Sequence, residues 1–425
     1  MKIAIMCELK GRELQFLTIL KKKLEIDSHE VKLIPQRVLV GKKIRKFKPH
    51  LIIVNGLRSD SSYIEQIYEP KKMFNCYVIS LYSEQIGQID DRLVRTYDNP
   101  KILQSVDAHI VWGNGFAEGL LELGVDSSKI WVLGSMALDL PFFIKEKTEA
   151  KRESIAKHYG LDSEKKWILI SDNIIRRVDQ VEIYDEIRAN FNEKLKTIAE
   201  HINNAEFIFR PHPDNRVEDL DKIISDFENN DNIKVIGEEH NLLWTLLAKA
   251  MIVWRSTSSI EALSAKKEVF ALQTDDNKFD YFHKEFIPNF KNADDLKEAL
   301  SSYLKGNYKV DEKYVKARNQ YLEKWFFQID GKSSDRICYL VNELISHQQT
   351  VPLHSFVNKK SVLNNRFLEL KNVVAKKMKG GYDKFYLKEK DLIEAERNIS
   401  QIESNFTNFE IINGEIANYL IDKKD

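Results

Sequence analysis

The stretch AMIVWRSTSSIEALSAKKEVFAL, from Ala250 to Leu272, has the order strand, polar turn, helix, strand. An apolar run ends at Trp254, hydroxyl side chains follow, a helix is predicted from near Ile260, and EVFAL forms a second apolar run. A connection that contains a helix joins parallel neighbours in a sheet. The stretch therefore predicts a parallel sheet with helices packed against it.

Further apolar runs of this form precede and follow it in two series. The first series comprises Lys2–Cys7, His29–Pro35, His50–Gly56, Cys76–Glu84, Ala108–Asn114 and Lys129–Ser135, and the second comprises Trp167–Asn173, Glu206–Pro213, Asn232–Glu238, Ala250–Ser256 and Glu268–Gln273. Two α/β series in 425 residues predict two Rossmann-like domains. We place them at residues 1–145 and 167–345, with a charged linker at 146–166 and a helical tail at 346–425. Open parallel sheets bind ligands beyond the carboxyl ends of their strands, so a ligand-binding cleft between the domains is expected.

The bulk properties exclude several classes of protein. Lys and Arg total 65 and Asp and Glu total 65, so no overall charge favours nucleic acid. Three widely spaced cysteines fit a reducing compartment, and the sequence contains neither a signal peptide nor a membrane-spanning run, so we expect a cytoplasmic protein. The segment 358–390 carries ten Lys or Arg against three Asp or Glu. It is either a basic surface for peripheral contact with the inner face of a membrane or a solvated helical appendage.

A second informative stretch is FIFRPHPDNR, from Phe207 to Arg216. Two prolines flank His212 and fix the backbone on both sides of it. A rigid loop directly after a buried strand indicates that this histidine is held for a ligand. The alternative is a structural histidine that is satisfied by backbone carbonyls.

The hydroxyl run Ser256–Ser259 follows another strand of the same series. One hydroxyl suffices to cap a helix, and the free N–H groups at a helix start attract anions. Arg210 and Arg255 add positive charge beside the two stretches. Because carboxyl ends of parallel strands meet at one edge, these residues predict a shared site for a phosphate or diphosphate that carries a sugar. There His212 would stabilise charge on a departing phosphate.

Arg-Pro-His-Pro followed by STSSIEA resembles the carboxyl-terminal half of GT-B glycosyltransferases of bacterial surface carbohydrate synthesis. It is similar to the HP and Ser-Ser motifs of bacterial sialyltransferases and Kdo transferases, and to the glycerophosphotransferases of teichoic acid synthesis. The resemblance implies that the nucleotide phosphates are bound by His212, Ser258 and Ser259, and the ribose by Glu261. The remaining predicted donor-site residues are Arg210, Arg255, Ser256, Thr257 and Asn173. The chain departs from the family where EALSAKKEVFAL lacks the usual Gly-x-Pro.

The resemblance also implies a general base in the amino-terminal half, where the acceptor binds. The nearest match to the family pattern is Glu84 in LYSEQIG, with Asp60 and Asp139 as rivals at other strand ends. A surface glutamate that caps a helix is the alternative for Glu84. Beside Asn173, Arg176 and Arg177 are further candidates for a donor contact.

Several motifs are absent from the sequence. Neither a phosphate loop nor an HExxH motif occurs, so neither a metal nor a cofactor is expected. The resulting prediction is a metal-independent glycosyltransferase of EC class 2.4 that moves a sugar from a nucleotide-activated donor, a CMP-sugar being favoured. The acceptor would be a glycan or a lipid-linked glycan of the cell surface, such as capsule or lipopolysaccharide. The alternatives are a CDP-polyol phosphotransferase, a sugar-nucleotide epimerase of the same fold, and a non-catalytic scaffold in a glycan-assembly complex.

Overall fold

A computed structural model describes residues 1–36, 40–55, 71–82, 85, 103–174, 181–212, 215, 217–274, 283–347, 390–393 and 395. The strands are β1 Lys2–Cys7, β2 Glu30–Pro35, β3 Leu51–Val54, β4 Tyr77–Ser80, β5 Ala108–Val111, β6 Ile130–Val132, β7 Lys166–Ser171, β8 Ala205–Arg210, β9 Ile233–Val235, β10 Ala250–Val253, β11 Glu268–Leu272 and β12 Asn289–Phe290. The helices are α1 Lys10–Ile26, α2 Val40–Phe47, α3 Asn114–Glu122, α4 Met136–Ala150, α5 Arg152–Tyr159, α6 Val181–His201, α7 Val217–Phe227, α8 Asn241–Leu247, α9 Ser258–Ser264, α10 Ala293–Leu304, α11 Glu312–Trp325 and α12 Ser333–His347.

The chain forms two compact units, and in the part of the chain that the structure describes each unit is built on one parallel sheet of six strands. The first unit comprises Met1–Phe142 together with the chain from Leu322 onward, and the second comprises Phe143–Tyr321. The predicted architecture of two Rossmann-like α/β domains is confirmed.

The sheet of the first unit has the order β2-β1-β3-β4-β5-β6. Its strands β3, β4 and β5 are buried throughout, as expected for strands covered on both faces. Helix α2 packs Val40, Ile44 and Phe47 into one core with β1, β3 and β4. Helix α1 packs beside β1, β2 and α12. Because β1 pairs with β2 on one side and β3 on the other, the strand order reverses between β1 and β3.

The sheet of the second unit has the order β12-β11-β10-β7-β8-β9. One face is covered by α6, α7 and α10, whose apolar side chains form a single core with β7, β8, β10 and β11. Helices α8 and α9 pack against β7, β10 and β11, and Trp244 of α8 lies against Trp167 with ring centroids 6.2 Å apart. The strand order reverses at β7, between β8 and β10.

The boundaries of the units differ from the predicted ones at both ends of the second domain. The predicted linker 146–166 contains α5, which packs into the second unit: the Arg152 guanidinium lies 3.8 Å from the centre of the Trp167 ring and donates to the Leu247 carbonyl. Helix α12, assigned from sequence to the second domain, belongs to the first unit. There Arg336 donates to the Leu133 carbonyl at 3.1 Å. Apart from residues 346–347, 390–393 and 395, the predicted tail lies outside the described residues.

The return of the chain to the first unit depends on a close backbone approach. Residues Trp325–Phe327 pass directly over Gly113, and the Phe327 N–H donates to the Trp112 carbonyl at 2.6 Å. A Cβ at Gly113 would lie 2.3 Å from the Trp325 carbonyl carbon, so only glycine fits there. Trp325 and Phe327 also pack against the core around β5, β6 and α3.

Candidate functional site

The candidate site lies at the carboxyl ends of β7, β8 and β10, where the strand order of the second sheet reverses. Ser171, the last residue of β7, is in register with Arg210 of β8 and with Val253 of β10. In open α/β sheets the crevice at such a reversal is the usual place for a ligand. The loops that carry His212 and the hydroxyl run leave the sheet on either side of Ser171, as predicted.

Three serine hydroxyls, which we call the serine cluster, meet at this edge: Ser171, Ser256 and Ser258. The Ser258 Oγ lies 2.7 Å from the Oγ of Ser171 and 2.7 Å from that of Ser256, and the last two are 3.2 Å apart. Ser171 and Ser256 are buried, whereas Ser258 is half-buried. Because each hydroxyl can donate or accept and its hydrogen can rotate, the cluster can present donors to an anion at Ser258.

The rest of the hydroxyl run is divided by the start of α9. This helix begins at Ser258, two residues earlier than the sequence indicates, and it has only seven residues. Thr257 precedes it, is exposed, and makes no side-chain cap hydrogen bond. Ser259 is fully buried, and its Oγ has no hydrogen-bond partner among the residues that the structure describes. Glu261 is half-buried in the first turn.

Asn173 and Arg255 connect the loops after β7 and β10. The Asn173 Oδ1 accepts a hydrogen bond from the Arg255 backbone N–H at 3.3 Å. The Arg255 guanidinium lies 5.5 Å from the centre of the Trp254 ring, a cation–π contact. Both predicted residues therefore lie beside the serine cluster in the chain, and Asn173 positions the backbone of this turn.

His212 lies two residues beyond the end of β8 and is half-buried. Its carbonyl accepts from the Asn215 N–H at 3.0 Å, which closes a turn directly after it. Arg210 extends away toward β9, where its guanidinium donates to the carbonyls of Ile236 (2.9 Å), Glu238 and Glu239 (2.8 Å). A phosphate contact by Arg210 would require it to leave these carbonyls.

The structure adds His283, which sequence analysis did not single out. It is fully buried, and its Nε2 lies 3.1 Å from the Trp254 carbonyl oxygen. Burial lowers its pKa to about 4, and the positive charge of Arg255 lowers it further, whereas the hydrogen bond that the ring donates to the Trp254 carbonyl raises it. The neutral ring therefore donates from Nε2 and holds the strand end just before Arg255. The surrounding sequence, FHKEF, has no periodicity or motif that points to this role.

Of the proposed general bases, Asp139 lies within the described residues, whereas Glu84 and Asp60 lie outside them, as do Arg176 and Arg177. Asp139 is buried in α4 and accepts from the Ser333 hydroxyl and the Ser334 backbone N–H, both at 3.2 Å, at the start of α12. Burial raises its pKa to about 7, and these two hydrogen bonds oppose the increase. Asp139 therefore joins two helices of the first unit.

Gln85, beside Glu84, is fully buried, and its side chain connects the ends of β4 and β5 by hydrogen bonds. Its amide nitrogen donates to the carbonyls of Leu81, Tyr82 and Ile110, and its oxygen accepts from the Trp112 N–H at 2.7 Å. With these contacts the amide is satisfied, so Gln85 has a structural role.

Within the described ranges, no group of three or more His, Cys, Asp or Glu side chains is arranged to hold a metal ion. Over the same residues, no helix has the length and apolar character needed to cross a membrane.

Solved structures superpose on most of this chain. A putative UDP-N-acetylglucosamine 2-epimerase from Listeria monocytogenes superposes with a TM-score of 0.56 at 13% identity, covering 83% of this chain and 98% of that one. The UDP-GlcNAc 2-epimerase from Methanocaldococcus jannaschii, in complex with UDP-GlcNAc and UDP, gives 0.54 at 17% identity, covering 81% and 100%. The wall teichoic acid polymerase TagF gives 0.54 at 13% identity, covering 82% and 89%. The chain therefore has the GT-B fold.

In sequence, residues 144–275 match the family described as "Capsule polysaccharide biosynthesis protein". The match covers about a third of the chain, and it includes the serine cluster, Asn173, Arg255 and His212. No curated protein matches the chain in sequence.

Proposed function

We propose that this protein is a glycosyltransferase of capsule polysaccharide synthesis, which binds a nucleotide-activated sugar in its second unit. The observation that carries the proposal is the serine cluster, where the hydroxyl at the end of β7 meets those of Ser256 and Ser258 at Oγ distances of 2.7 to 3.2 Å, at the reversal of a parallel sheet. This site lies inside the match to the capsule family, which supports a carbohydrate substrate. Structures of the same fold are titled as complexes with UDP-GlcNAc, UDP or CDPG, which supports a nucleotide ligand.

The donor phosphates would lie between Ser258 and His212. Hydroxyls of the serine cluster donate to the phosphate oxygens, and the His212 ring donates a further hydrogen bond as the glycosidic bond breaks. Arg255 adds positive charge beside the cluster, so the developing charge on the leaving nucleotide is stabilised without a metal. The half-buried Glu261 takes the ribose hydroxyls. A CMP-sugar is the donor that we favour.

The acceptor, a glycan or lipid-linked glycan, would bind the first unit, and Glu84 is the proposed base. In this proposal the protein works in the cytoplasm. Its basic segment 358–390 supports peripheral contact with the anionic inner face of the membrane.

The test is a thermal-shift panel with CMP, CDP, UDP and GDP, followed by calorimetric titration. A nucleotide at about 100 times its dissociation constant should stabilise the chain by about 2.7 kcal/mol. We expect stabilisation by CMP in the unsubstituted chain and a much smaller stabilisation in His212→Ala, which binds the nucleotide more weakly. The matched control is His201→Ala, an exposed histidine of α6 in the same unit, which should retain the shift.

Other outcomes distinguish the remaining candidates. Stabilisation by CDP alone, lost in His212→Ala, would favour the CDP-polyol phosphotransferase. Stabilisation by UDP, with interconversion of a UDP-sugar in the absence of any acceptor, would favour an epimerase. If no nucleotide shifts the transition at millimolar concentration, the donor site is wrong and a non-catalytic scaffold is the better description.

A further inference from the structure

A buried ion pair lies directly beneath the candidate site. Asp172 follows Ser171 at the end of β7, and its Oδ2 lies 2.9 Å from Nη2 of Arg188 in α6. The side-chain exposure is 0% for Asp172 and 1% for Arg188. Taking two charges out of water is costly, and an apolar pair of similar volume is often as stable, so such a pair is better explained by the geometry that it fixes.

The Asp172 carboxylate accepts hydrogen bonds from three separate parts of the second unit. Its Oδ1 accepts from the Ile174 N–H at 2.9 Å, which shapes the loop after β7. Its Oδ2 accepts from Arg188 and also from the Asn215 Nδ2 at 3.3 Å, in the loop after β8. The Arg188 Nη2 also donates to the Ile174 carbonyl at 2.5 Å, so the ion pair and the first loop are held together.

Asn215 transmits this arrangement to His212. Its side chain is held by Asp172, and its backbone N–H donates to the His212 carbonyl at 3.0 Å. The Asp172 N–H in turn donates to the Arg210 carbonyl at 3.1 Å, two residues before His212. The prolines restrict the shape of this loop, whereas these contacts fix its position relative to Ser171.

We propose that Asp172, Arg188 and Asn215 are positioning residues, which place His212 relative to the serine cluster so that both contact one ligand. The expected effect on nucleotide affinity rests on the proposed function. The fixed position of the His212 loop, which would cause that effect, rests on the structure alone.

The principal variant is Asn215→Ala, because the residue is only half-buried and its loss leaves the Asp172–Arg188 pair intact. The matched control is Asn192→Ala, since the Asn192 Nδ2 donates to an Asp226 carboxylate oxygen at 2.8 Å in the same unit, between α6 and α7. Asp172→Asn is a secondary variant, because leaving Arg188 buried without its carboxylate is strongly destabilising and can unfold the unit.

Two measurements test the proposal. In calorimetric titrations with the nucleotide that binds best, Asn215→Ala should weaken affinity about tenfold in the unsubstituted chain and less than about twofold in a His212→Ala background, since one residue acts through the other. In NMR spectra of histidine-labelled protein without nucleotide, the ring signal that disappears in His212→Ala should shift or split in Asn215→Ala. Asn192→Ala should change neither quantity.

The outcomes separate this inference from the proposed function. An equal loss of affinity in both backgrounds, or an unchanged His212 signal in Asn215→Ala, would overturn the positioning role. If the unsubstituted chain binds no nucleotide, the proposed function fails, and the His212 signal still decides whether Asn215 positions this loop.

Discussion

The Oγ of Ser258 lies 2.7 Å from the Oγ of Ser171, and this contact joins two residues that are 87 positions apart in the chain. Ser171 ends β7 and Ser258 begins α9, so the contact spans the reversal of the second sheet. In Ser258→Ala one donor to a bound phosphate is lost, and nucleotide affinity should fall about tenfold, which is about 1.4 kcal/mol. Isothermal titration with the nucleotide that binds best measures this change.

Ser264→Ala is the control for this prediction. Ser264 ends the same helix, and its hydroxyl donates to the Glu261 carbonyl at 2.7 Å. Removing it should leave nucleotide affinity within a factor of about two. Equal losses in the two variants would show that helix stability, and not the serine cluster, governs binding.

The buried Asp139 carboxyl predicts a pH-dependent stability. Burial raises its pKa from 3.8 to about 7, so between these values the folded state binds more protons than the unfolded state. The contribution of this group to the free energy of unfolding therefore falls as the pH rises from about 4 to 7. Above pH 7 the carboxylate is ionised in the folded state, and the whole destabilisation by its burial is present. Asp139→Asn does not titrate. The difference in unfolding free energy between this variant and the unsubstituted chain should therefore be roughly 2 kcal/mol more favourable to the variant at pH 8 than at pH 5. Thermal and urea unfolding at the two pH values measure this difference.

Asp126→Asn is the matched control in the same unit. Its carboxylate is exposed, and hydrogen bonds from Ser128 lower its pKa, so it stays ionised in both states from pH 5 to pH 8. The stability difference between this variant and the unsubstituted chain should therefore be the same at both pH values. A similarly flat difference for Asp139→Asn would contradict the raised pKa.

The close approach at Gly113 predicts that Gly113→Ala is severely destabilising. The new Cβ would lie 2.3 Å from the carbonyl carbon of Trp325 and 2.6 Å from the backbone nitrogen of Phe326, and backbone atoms cannot move aside as a flexible side chain can. We expect a loss of roughly 3 kcal/mol or more in unfolding free energy. In hydrogen exchange, the backbone amides of Trp325–Phe327 should exchange faster than in the unsubstituted chain. Gly11→Ala, in α1 with no atom of the described residues within 4 Å of the new Cβ, should be neutral or slightly stabilising. A well-tolerated Gly113→Ala would show that this segment is not held against β5.

Much of the fold was predictable because its strands are local apolar runs. The predicted strand Lys2–Cys7 coincides with β1, and the runs around Ala108 and Ala250 contain β5 and β10. Membership of α12 in the first unit was not predictable, since it depends on contacts such as Arg336 with Leu133, about 200 positions apart. No local pattern records such a pairing.

The candidate site was likewise predictable only in part. Both loops were placed at strand ends by their composition, and the structure brings Ser256 and Ser258 together with Ser171. The different environments of Ser258 and Ser259 depend on where α9 begins, and a shift of two residues in that start turns a side chain to another face of the helix. The direction of the Arg210 side chain could not be predicted from the sequence either, because the pairing of β8 with β9 brings the carbonyls that it binds near it.

The discontinuous first unit has a consequence for biosynthesis. A ribosome completes Phe143–Tyr321 before it has made Trp325 or α12, whereas the first unit begins with Met1 and includes both. Domains generally fold as units while the chain is being made. The second unit can therefore finish folding on the nascent chain while the first still awaits α12, so the unit that contributes the earlier residues is completed after the unit inserted within it.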